Sequence, residues 1–335
     1  MRTRRTFAAM VALVAATLSA CGPSQSDTQG GGVGADGRQK IVVGTLPIAS
    51  SAALHLGIEK GFFADEGLDV SEQSIPNSAG AMAAVQGGQV QFAYTPSMPM
   101  FIALSQGIEL KAVAAADGYP KGAYDQWIAA GRTTNPDDTA VLVREDSDIK
   151  SPRDLEGKVV AVPSRRTQLE ITTARAVEED GGDPTKINWI ALSFQDMIPT
   201  LEAGRVDAIA EVSPFVQQAK SQGARVLTYP GIGTFREGAV GLWIGASTFV
   251  EANPDVAKRF ATAMNKANDY ANSHIDEAYA KAAEVTKISV DILKSGARPY
   301  WPNVVEPGDL DRAAQAMKDL GYLNETPTTD SLVVR

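Results

Sequence analysis

Apolar and polar positions form strand-like and helix-like patterns along the chain, and the order of these patterns repeats. Short apolar runs typical of buried strands alternate with apolar stretches of helical length. The predicted strands are residues 41–44, 68–70, 90–94, 159–162, 187–191 and 206–212, and the predicted helices are residues 52–63, 79–86, 168–180 and 197–203. Val42 lies 48 residues before Val90, and Val160 lies 46 residues before Val206. Two matched copies of β-α-β-α-β predict two similar α/β lobes with parallel strands.

Helical patterns dominate after the second copy. Asn253 and Pro254 begin a long helical stretch that reaches residue 272, and further helices are predicted at residues 276–286 and 307–320. The segment after Asn324 is polar, and we expect this tail to fray.

The only cysteine of the chain, Cys21, follows a segment typical of an exported protein. A start with three arginines precedes an apolar run over residues 7–18, which fits a signal-peptide core and is shorter than the roughly 20 residues that span a bilayer. Leu-Ser-Ala-Cys at residues 18–21 resembles the lipobox of bacterial lipoproteins, whose cysteine is acylated and becomes the new N-terminus. The resemblance implies a signal peptide over residues 1–20 and a lipid anchor such as palmitate on Cys21.

Two alternatives stay open at this end of the chain. Cys21 is otherwise a small residue beside an ordinary cleavage site, and the twin-arginine-like start leaves export by either the Sec or the twin-arginine route. Residues 21–38 are rich in Gly, Ser and Gln, so we expect a flexible tether there. The expected location is the extracytoplasmic face of a bacterial cell membrane.

The charge balance argues against nucleic acid as a partner. The chain has 31 Lys and Arg against 40 Asp and Glu, and loss of residues 1–20 removes three arginines, which leaves 28 against 40 and a net charge of −12. Binding to nucleic acid depends largely on neutralising phosphates with basic side chains, which an acidic domain does not favour.

Catalytic and metal-binding patterns are missing from the sequence. One cysteine and two histidines, His55 and His274, do not supply the usual zinc ligand sets. The hydrolase, zincin and P-loop motifs do not occur, and the G-x-G-x-x-G letters at residues 32–37 follow no predicted strand. We therefore expect no catalytic residue, no metal and no cofactor, and a structural role for His55.

Several motifs resemble one family of transport proteins. EKGFFADEGLDV (residues 59–70), AVQGGQVQFA (84–93), DLEGKVVAV (154–162) and LEAGRVDA (201–208) are similar, in this order, to motifs of substrate-binding proteins of the nitrate, taurine, alkanesulfonate and thiamine-precursor group of ABC importers, and residues 249–260 match in type. The resemblance covers about residues 40–320. It implies a type II periplasmic binding protein: two Rossmann-like lobes joined by two crossover strands, with a ligand cleft between them.

The family fold also implies domain boundaries and partners. Residues 141–143 and 241–244 would be the crossover strands. The first lobe would then contain residues 39–141 and 243–323, the second lobe residues 142–242, and the polar tail residues 324–335. The implied partners are a small-molecule solute and the permease and ATPase subunits of an ABC transporter, and the chain is expected to be a monomer.

Ligands of open α/β sheets bind beyond the carboxyl ends of the strands, which selects four loops here. These loops contain hydroxyl, charged and proline residues that can contact a solute. The candidate ligand-binding residues are Thr45, Pro47, Ser50, Ser51, Ser97, Arg165, Arg166, Thr167, Glu211 and Ser213. A serine at such a position is alternatively a helix N-cap. Residues 117–138 are expected to be a long loop at the cleft mouth and are a candidate lid.

Charged residues of these loops indicate the charge of the solute. Arg165 and Arg166 precede the helix that Thr167 is expected to cap, where guanidinium groups and the helix dipole would favour an anion such as a sulfonate or nitrate. Exposed side chains on a loop rim are the alternative for this pair. Glu211 either pairs with an arginine or holds a ligand amine.

An aromatic heterocycle, such as a thiamine-pyrimidine precursor, is the alternative solute. Aromatic residues available as a ring platform are Tyr94, Tyr119, Trp127, Trp243 and Trp301, with core packing as the other role for most of them. Family members often have Trp and an acid before the proline of the last loop, where this chain has Val212-Ser213-Pro214. A further alternative is an enzyme of pyrimidine synthesis on the same fold. In the binding-protein interpretation, solute closes the cleft and the permease recognises the closed form.

Overall fold

Two β-sheets organise the protein. The computed structural model describes residues 32–132, 134 and 137–334, so Cys21, the expected signal peptide and most of the expected tether lie outside the described residues. Within the described part, the first sheet has the order β2 (Leu68–Ser74), β1 (Gln39–Thr45), β3 (Phe92–Pro96), β10 (Gly238–Ala246) and β4 (Leu110–Tyr119). The second has the order β7 (Asn188–Ala191), β6 (Val159–Val162), β8 (Ala208–Val212), β5 (Thr139–Arg144) and β9 (Ala224–Thr228).

Helices cover both faces of each sheet. They are α1 (Ala52–Glu59), α2 (Phe62–Asp65), α3 (Ser78–Gln86), α4 (Ser97–Ser105), α5 (Ala123–Ala129), α6 (Gln168–Glu179), α7 (Phe194–Glu202), α8 (Phe215–Ser221), α9 (Pro230–Phe235), α10 (Ser247–Ala252), α11 (Pro254–Ser273), α12 (Ile275–Thr286), α13 (Val290–Lys294) and α14 (Pro307–Asp319). Short 3-10 turns lie at Ala49–Ser51, Pro152–Leu155 and Pro184–Lys186.

The two sheets have the same internal arrangement. β1 pairs in parallel with β2 and β3, and β6 pairs in parallel with β7 and β8. In each sheet one antiparallel strand then lies beside the third strand of the repeat: β10 beside β3, and β5 beside β8. The predicted doubling is therefore present, and the predicted crossover residues fall in β5 and β10. We call the part built on the first sheet the first lobe and the part built on the second sheet the second lobe.

Aromatic packing secures the first lobe. Phe92 on β3 stacks on Phe260 of α11 with ring centroids 4.2 Å apart, and Phe63 lies 5.6 Å from the same ring. All three rings are buried. Full burial of such a side chain contributes about 1.5–3 kcal/mol, so α11 is held firmly on the face of the sheet.

The predicted helix over residues 52–63 is interrupted. α1 ends at Glu59, Gly61 adopts a left-handed backbone with φ of 82°, and α2 begins at Phe62. Glycine adopts this conformation without a steric penalty from a Cβ atom, so the chain turns there. The break lets Phe63 enter the core beside Phe260.

The expectation of a frayed tail is wrong for its last described residues. The amide of Ala112 donates to the carbonyl of Leu332 over 2.8 Å, and the amide of Val334 donates to the carbonyl of Ala112 over 2.9 Å. Leu332 and Thr329 are buried. The tail is polar overall, but it extends the exposed edge of β4 and buries one leucine there.

Residues 117–138 do not form one long loop. The end of β4 occupies residues 117–119, and α5 covers Ala123–Ala129. Trp127 is buried, which fixes α5 against the body of the protein.

Candidate functional site

A cavity lies between the lobes where the parallel strands of both sheets end. It encloses about 580 Å³ of empty space, including the part open to solvent. The first lobe lines it with Leu46, Ile48, Tyr94, Pro96, Asp117 and Tyr119, and the second lobe lines it with Pro163, Thr167, Leu169 and Phe194, among others. Asp138 and Thr139, at the connection between the lobes, also line it.

The topology explains why these residues meet. Pro96 ends β3, Pro163 directly follows β6, and Val212 ends β8, so the carboxyl ends of parallel strands from both lobes point into one crevice. Asp117 lies near the end of β4, and Asp138 directly precedes β5. The two acids therefore flank the start of the first connection between the lobes.

Asp117 is fixed by the protein. Tyr94 Oη donates to Asp117 Oδ2 over 2.8 Å, and the amide of Gly241 donates to Oδ1 over 2.8 Å. A Cβ atom at position 241 would overlap this carboxylate, so glycine is needed for the approach. Burial raises the pKa of Asp117, and hydrogen bonds from Ser50, Tyr94 and Gly241 offset part of that rise.

Asp138 is held differently. Among the described residues, no other residue donates a hydrogen bond to the Asp138 carboxylate. A hydrogen bond from its own backbone amide favours the charged form. Burial raises the pKa of Asp138 well above its usual value, and the charges of Asp117 and Asp137 raise it further. The Asp138 carboxyl therefore lines the cavity with capacity for a ligand hydrogen bond.

Asp137 has a structural role beside the cavity. Its Oδ1 accepts hydrogen bonds from Tyr119 Oη (2.6 Å), the amide of Thr139 (2.9 Å) and Thr139 Oγ1 (2.8 Å). Its Oδ2 accepts from the amide of Ile232 at 2.7 Å. Burial raises the pKa of Asp137 while these donors lower it. The carboxylate joins both chain segments that connect the lobes.

The predicted serines lie near the cavity but do not line it. Thr167 alone of the predicted residues lines the cavity. Ser50 is buried and supports Asp117, while Ser51 Oγ donates to the carbonyl of Leu46 over 2.7 Å. Ser97 is buried, and its Oγ has no partner within the part of the chain that the structure describes.

The remaining predicted loop residues also lie outside the wall. Thr45 and Pro47 line a neighbouring polar depression with His55. Ser213 contributes backbone contacts: its amide donates to the carbonyl of Asp138 over 2.6 Å, and its carbonyl accepts from the amide of Ala49 at 3.4 Å. His55 pairs with Glu72 over 2.7 Å, which agrees with a structural role.

Arg165 and Arg166 do not line the cavity, contrary to the expectation from the sequence. Arg165 Nε donates to Glu170 Oε2 over 2.7 Å, and Arg166 Nη2 donates to the carbonyl of Tyr322 over 3.0 Å. The expected side-chain cap by Thr167 is not formed either, because Thr167 Oγ1 donates to the carbonyl of Ser164. The Arg165 side chain pairs with Glu170 and the Arg166 side chain with Tyr322, and the sequence does not reveal either partner.

Glu211 is buried without a side-chain partner. It has 0% exposure, and neither carboxylate oxygen has a hydrogen bond within the described residues, so the expected arginine pair is not formed. Burial raises the pKa of Glu211 well above its usual value. Glu211 does not belong to the cavity wall, because alternate residues of β8 face opposite sides of the sheet and Val212 is the one that lines it.

Aromatic residues divide between the cavity and the core. Tyr94 and Tyr119 line the cavity, and Phe194 joins them from α7. Trp243 packs at 5.9 Å against Tyr94 from the core side, and Trp301 Nε1 donates to the carbonyl of Ser50 over 2.8 Å. The sequence therefore identified two of the three cavity rings.

A sequence comparison decides the family. The profile of the family described as NMT1/THI5 like matches residues 49–118 and 128–278, well over half of the chain. The chain belongs to the NMT1/THI5-like family. This finding confirms the resemblance drawn from the motifs at residues 59–70, 84–93, 154–162 and 201–208.

Relatives of this family member are named as binding proteins. The taurine-binding periplasmic protein of Escherichia coli is 23% identical over 60% of the chain and 57% of the relative, and a putative aliphatic sulfonates-binding protein of Bacillus subtilis is 22% identical over 82% and 78%. The formylaminopyrimidine-binding protein of Halalkalibacterium halodurans is 24% identical over 51% of the chain and 46% of the relative. The chain thus spans about half of the first and third of these proteins.

Solved structures show the same fold. The alkanesulfonate-binding protein SsuA of Xanthomonas axonopodis pv. citri superimposes with a TM-score of 0.71 at 16% identity, over 88% of this chain and 97% of that one. The desulfurization enzyme DSZB superimposes with a TM-score of 0.62 at 15% identity, over 88% and 96%. The fold is therefore the two-lobed type II periplasmic binding protein, and it is shared by binding proteins and an enzyme.

Two negative findings concern the described residues. No cluster of three or more His, Cys, Asp or Glu there could hold a metal ion. Within the same ranges, each helix is too short or too polar to cross a membrane.

Proposed function

We propose that this family member is the solute receptor of an ABC importer and that it binds a small solute in the cavity between its lobes. Solute contacts to both lobes favour the closed form, which a permease with its ATPase subunits then recognises. The cavity supports this role because both lobes contribute to it. No catalytic function is proposed, and we expect the receptor to act as a monomer.

The proposed solute carries a nitrogen donor, a cationic or neutral amine or amidine, and is not a simple anion. One observation carries this proposal: Asp117 and Asp138 line the cavity, while no arginine or lysine of the described residues does. A simple anion there would meet two acids without a counter-charge, and burying an unpaired charge costs several kcal/mol. A protonated amine or an amino group instead gains a charge-assisted hydrogen bond to Asp138.

An amino-substituted heterocycle fits the rest of the wall best. Tyr94, Tyr119 and Phe194 supply rings, and most of the other lining side chains are apolar. Aromatic side chains and a flat ring gain about 0.5–1.5 kcal/mol per ring pair beyond burial alone. The similarity to a formylaminopyrimidine-binding protein supports the same class.

An aminosulfonate is the second candidate. Thr167 and Gln168, at the start of α6, line the cavity, and a helix N-terminus favours the negative end of a zwitterion. The ammonium group would again contact Asp138. Similarity to a taurine-binding protein supports this candidate.

Isothermal titration calorimetry with four solutes tests the class: a formylaminopyrimidine, taurine, ethanesulfonate and nitrate. We expect the formylaminopyrimidine to bind with a Kd of about 1 µM, equivalent to about −8 kcal/mol, and Asp138→Asn to weaken it at least tenfold. Asp146→Asn makes the same charge change at an exposed position and is the control. Binding of taurine without ethanesulfonate would select the second candidate. Tight binding of ethanesulfonate or nitrate, unaffected by Asp138→Asn, would contradict the proposal.

The anchor and the lobe boundaries are separate parts of the proposal. We infer that Cys21 carries the lipid and that residues 39–141 and 243–323 form one lobe and residues 142–242 the other. The two boundaries fall inside β5 and β10, the strands next to which the chain passes from one sheet to the other. Mass spectrometry of the mature protein tests the anchor: an unmodified Cys21 would contradict it.

A further inference from the structure

A cluster of polar side chains joins the lobes beside the cavity. Glu170, in the first turn of α6, is 2% exposed and belongs to the second lobe. Its carboxylate accepts hydrogen bonds from Arg165 Nε (2.7 Å) and from the amide of Arg166 (2.8 Å). Tyr322, which follows α14 of the first lobe, donates its Oη to Glu170 Oε1 over 3.1 Å. A phenol of one lobe thus completes the shell of a buried carboxylate of the other.

Arg166 reinforces the same junction. Its Nη2 donates to the carbonyl of Tyr322 over 3.0 Å, and its guanidinium lies 5.3 Å from the centre of the Tyr322 ring. The backbone of Arg166 is left-handed, with φ of 58°, which is uncommon for a residue other than glycine. Arg166 is therefore directed to Tyr322 by an unusual local conformation as well as by side-chain contacts.

An apolar contact follows directly. Ile171, next to Glu170, is fully buried in the cluster that contains Met98 and Phe101 of α4, a helix of the first lobe. Polar and apolar contacts between the lobes therefore occur at adjacent residues of α6.

The junction encloses part of the solute site without lining it. Thr167, Gln168 and Leu169 line the cavity and lie in sequence between Arg166 and Glu170, but neither of these two residues is part of the wall. If the lobes separated, Tyr322 would leave Glu170 and Arg166, and the same motion would open the cavity.

We propose that Glu170, Arg166 and Tyr322 form an interlobe clasp that stabilises the closed form before any solute binds. The clasp keeps the cavity wall at residues 167–169 in its closed position, so it sets solute affinity without touching solute. The clasp itself requires only the two-lobed fold. Its effect on solute affinity rests on the proposed function.

A second tyrosine–glutamate pair, which lies within one lobe, distinguishes the clasp from a merely local supporting role. Tyr270 Oη lies 3.0 Å from both carboxylate oxygens of Glu277, and both residues belong to the first lobe. Tyr270→Phe therefore removes a tyrosine–glutamate hydrogen bond that does not cross between lobes.

Single-molecule FRET without solute tests the clasp. Dyes are attached at Ala83→Cys and Glu202→Cys, exposed positions on α3 and α7 in opposite lobes, in a Cys21→Ser background that has no other thiol. We expect one short interlobe distance in the parent protein. Tyr322→Ala and Glu170→Gln should populate a longer distance, and Tyr322→Phe should shift the closed-to-open ratio by roughly tenfold, as expected for a hydrogen bond to a charged group.

The outcomes separate the alternatives. Tyr270→Phe should leave the distance unchanged, and circular dichroism should show that every variant is folded. An unchanged distance in folded Tyr322→Ala and Glu170→Gln would overturn the clasp, as would an equal shift in Tyr270→Phe. Because no solute is used, failure of the solute proposal would not alter these results.

Discussion

Tyr94 Oη lies 2.8 Å from Asp117 Oδ2, and both residues line the cavity between the lobes. This hydrogen bond occupies one oxygen of Asp117, and the amide of Gly241 occupies the other. Burial and the neighbouring acid raise the pKa of Tyr94 well above its usual value, so the phenol keeps its proton and stays the donor. Asp138, which has no such donors among the described residues, is left as the acid for solute.

Replacing Asp138 by asparagine should stabilise the empty protein while it weakens solute binding. The raised pKa means that folding opposes ionisation of this carboxyl, so its stabilising contribution is complete below the unfolded pKa and is lost as pH rises through the folded pKa. The amide of the substituted side chain does not ionise. We expect the melting temperature of Asp138→Asn to exceed that of the parent by about 2–4 °C at pH 8, the shift given by about 1 kcal/mol in a domain of this size.

The difference in melting temperature should shrink as pH falls, because the parent carboxyl then becomes protonated as well. Differential scanning calorimetry from pH 5 to pH 8 measures it, with Asp146→Asn as the exposed control. A difference that grows toward pH 5 would contradict the burial of a raised-pKa acid.

The affinity for a cationic solute should increase as pH rises. A cationic solute binds the ionised form of Asp138, so protonation of the carboxyl competes with binding and affinity should rise with pH. Calorimetry in two buffers of different ionisation enthalpy should detect release of up to about one proton per bound solute. The Asp138→Asn variant should release fewer protons per bound solute. Unchanged proton release in this variant would show that another group loses the proton.

Gly241→Ala should displace Asp117. A Cβ atom at position 241 would overlap both the Asp117 carboxylate and the Tyr94 ring, and overpacking of this kind costs about 1–3 kcal/mol. We expect lower stability to urea and at least tenfold weaker solute binding. Gly233→Ala is the matched control, because position 233 has open space around it. Equal effects of the two substitutions would show that the Asp117 contact is not responsible.

A second interlobe contact lies at Gly296 and Gln217. A side chain at position 296 would collide with the Gln217 amide of the second lobe. Gly296→Val should therefore hold the lobes apart and weaken solute binding. Gln217→Ala in the same chain should restore much of the affinity, since it removes the obstacle. The FRET pair at positions 83 and 202 measures the separation, and no rescue by Gln217→Ala would locate the effect within the first lobe.

The tail should contribute to stability. Leu332 is buried beside β4, and replacing a buried leucine by alanine costs about 2–5 kcal/mol. We expect Leu332→Ala to lower the free energy of unfolding within this range and to speed hydrogen exchange at Ala112, whose amide bonds to the tail. Ser331→Ala, an exposed neighbour, should change neither quantity.

The repeated fold could be predicted because each β-α-β-α-β copy has its own local signals. Apolar runs such as residues 159–162 are recognisable as buried strands, and the matched spacing gives the two sheets. The apolar pattern predicts one helical stretch over residues 52–63, and the left-handed backbone of Gly61 shows that α1 ends before it and that α2 is a separate turn.

The solute site could be predicted only at the level of its loops. The position of Arg165 and Arg166 before a helix predicts that one of the pair faces the cleft. The pairing of Arg165 with Glu170 and of Arg166 with Tyr322 depends instead on side-chain directions and a distant segment. Asp117 and Asp138 have a weak signal in the sequence, since Asp117 lies near the end of an apolar strand and Asp138 directly precedes another. Their convergence depends on how the lobes are joined, which local sequence does not encode.

The buried carboxylate of Asp137 bonds to Tyr119, Thr139 and Ile232, and so fastens the outgoing and the returning connection at one point. Sliding of one connection past the other would break these hydrogen bonds, so we expect bending between the halves to pivot near this carboxylate. Heat should consequently melt both halves in a single cooperative transition, since one buried apolar cluster also contains residues of both sheets, such as Phe92 and Ile209.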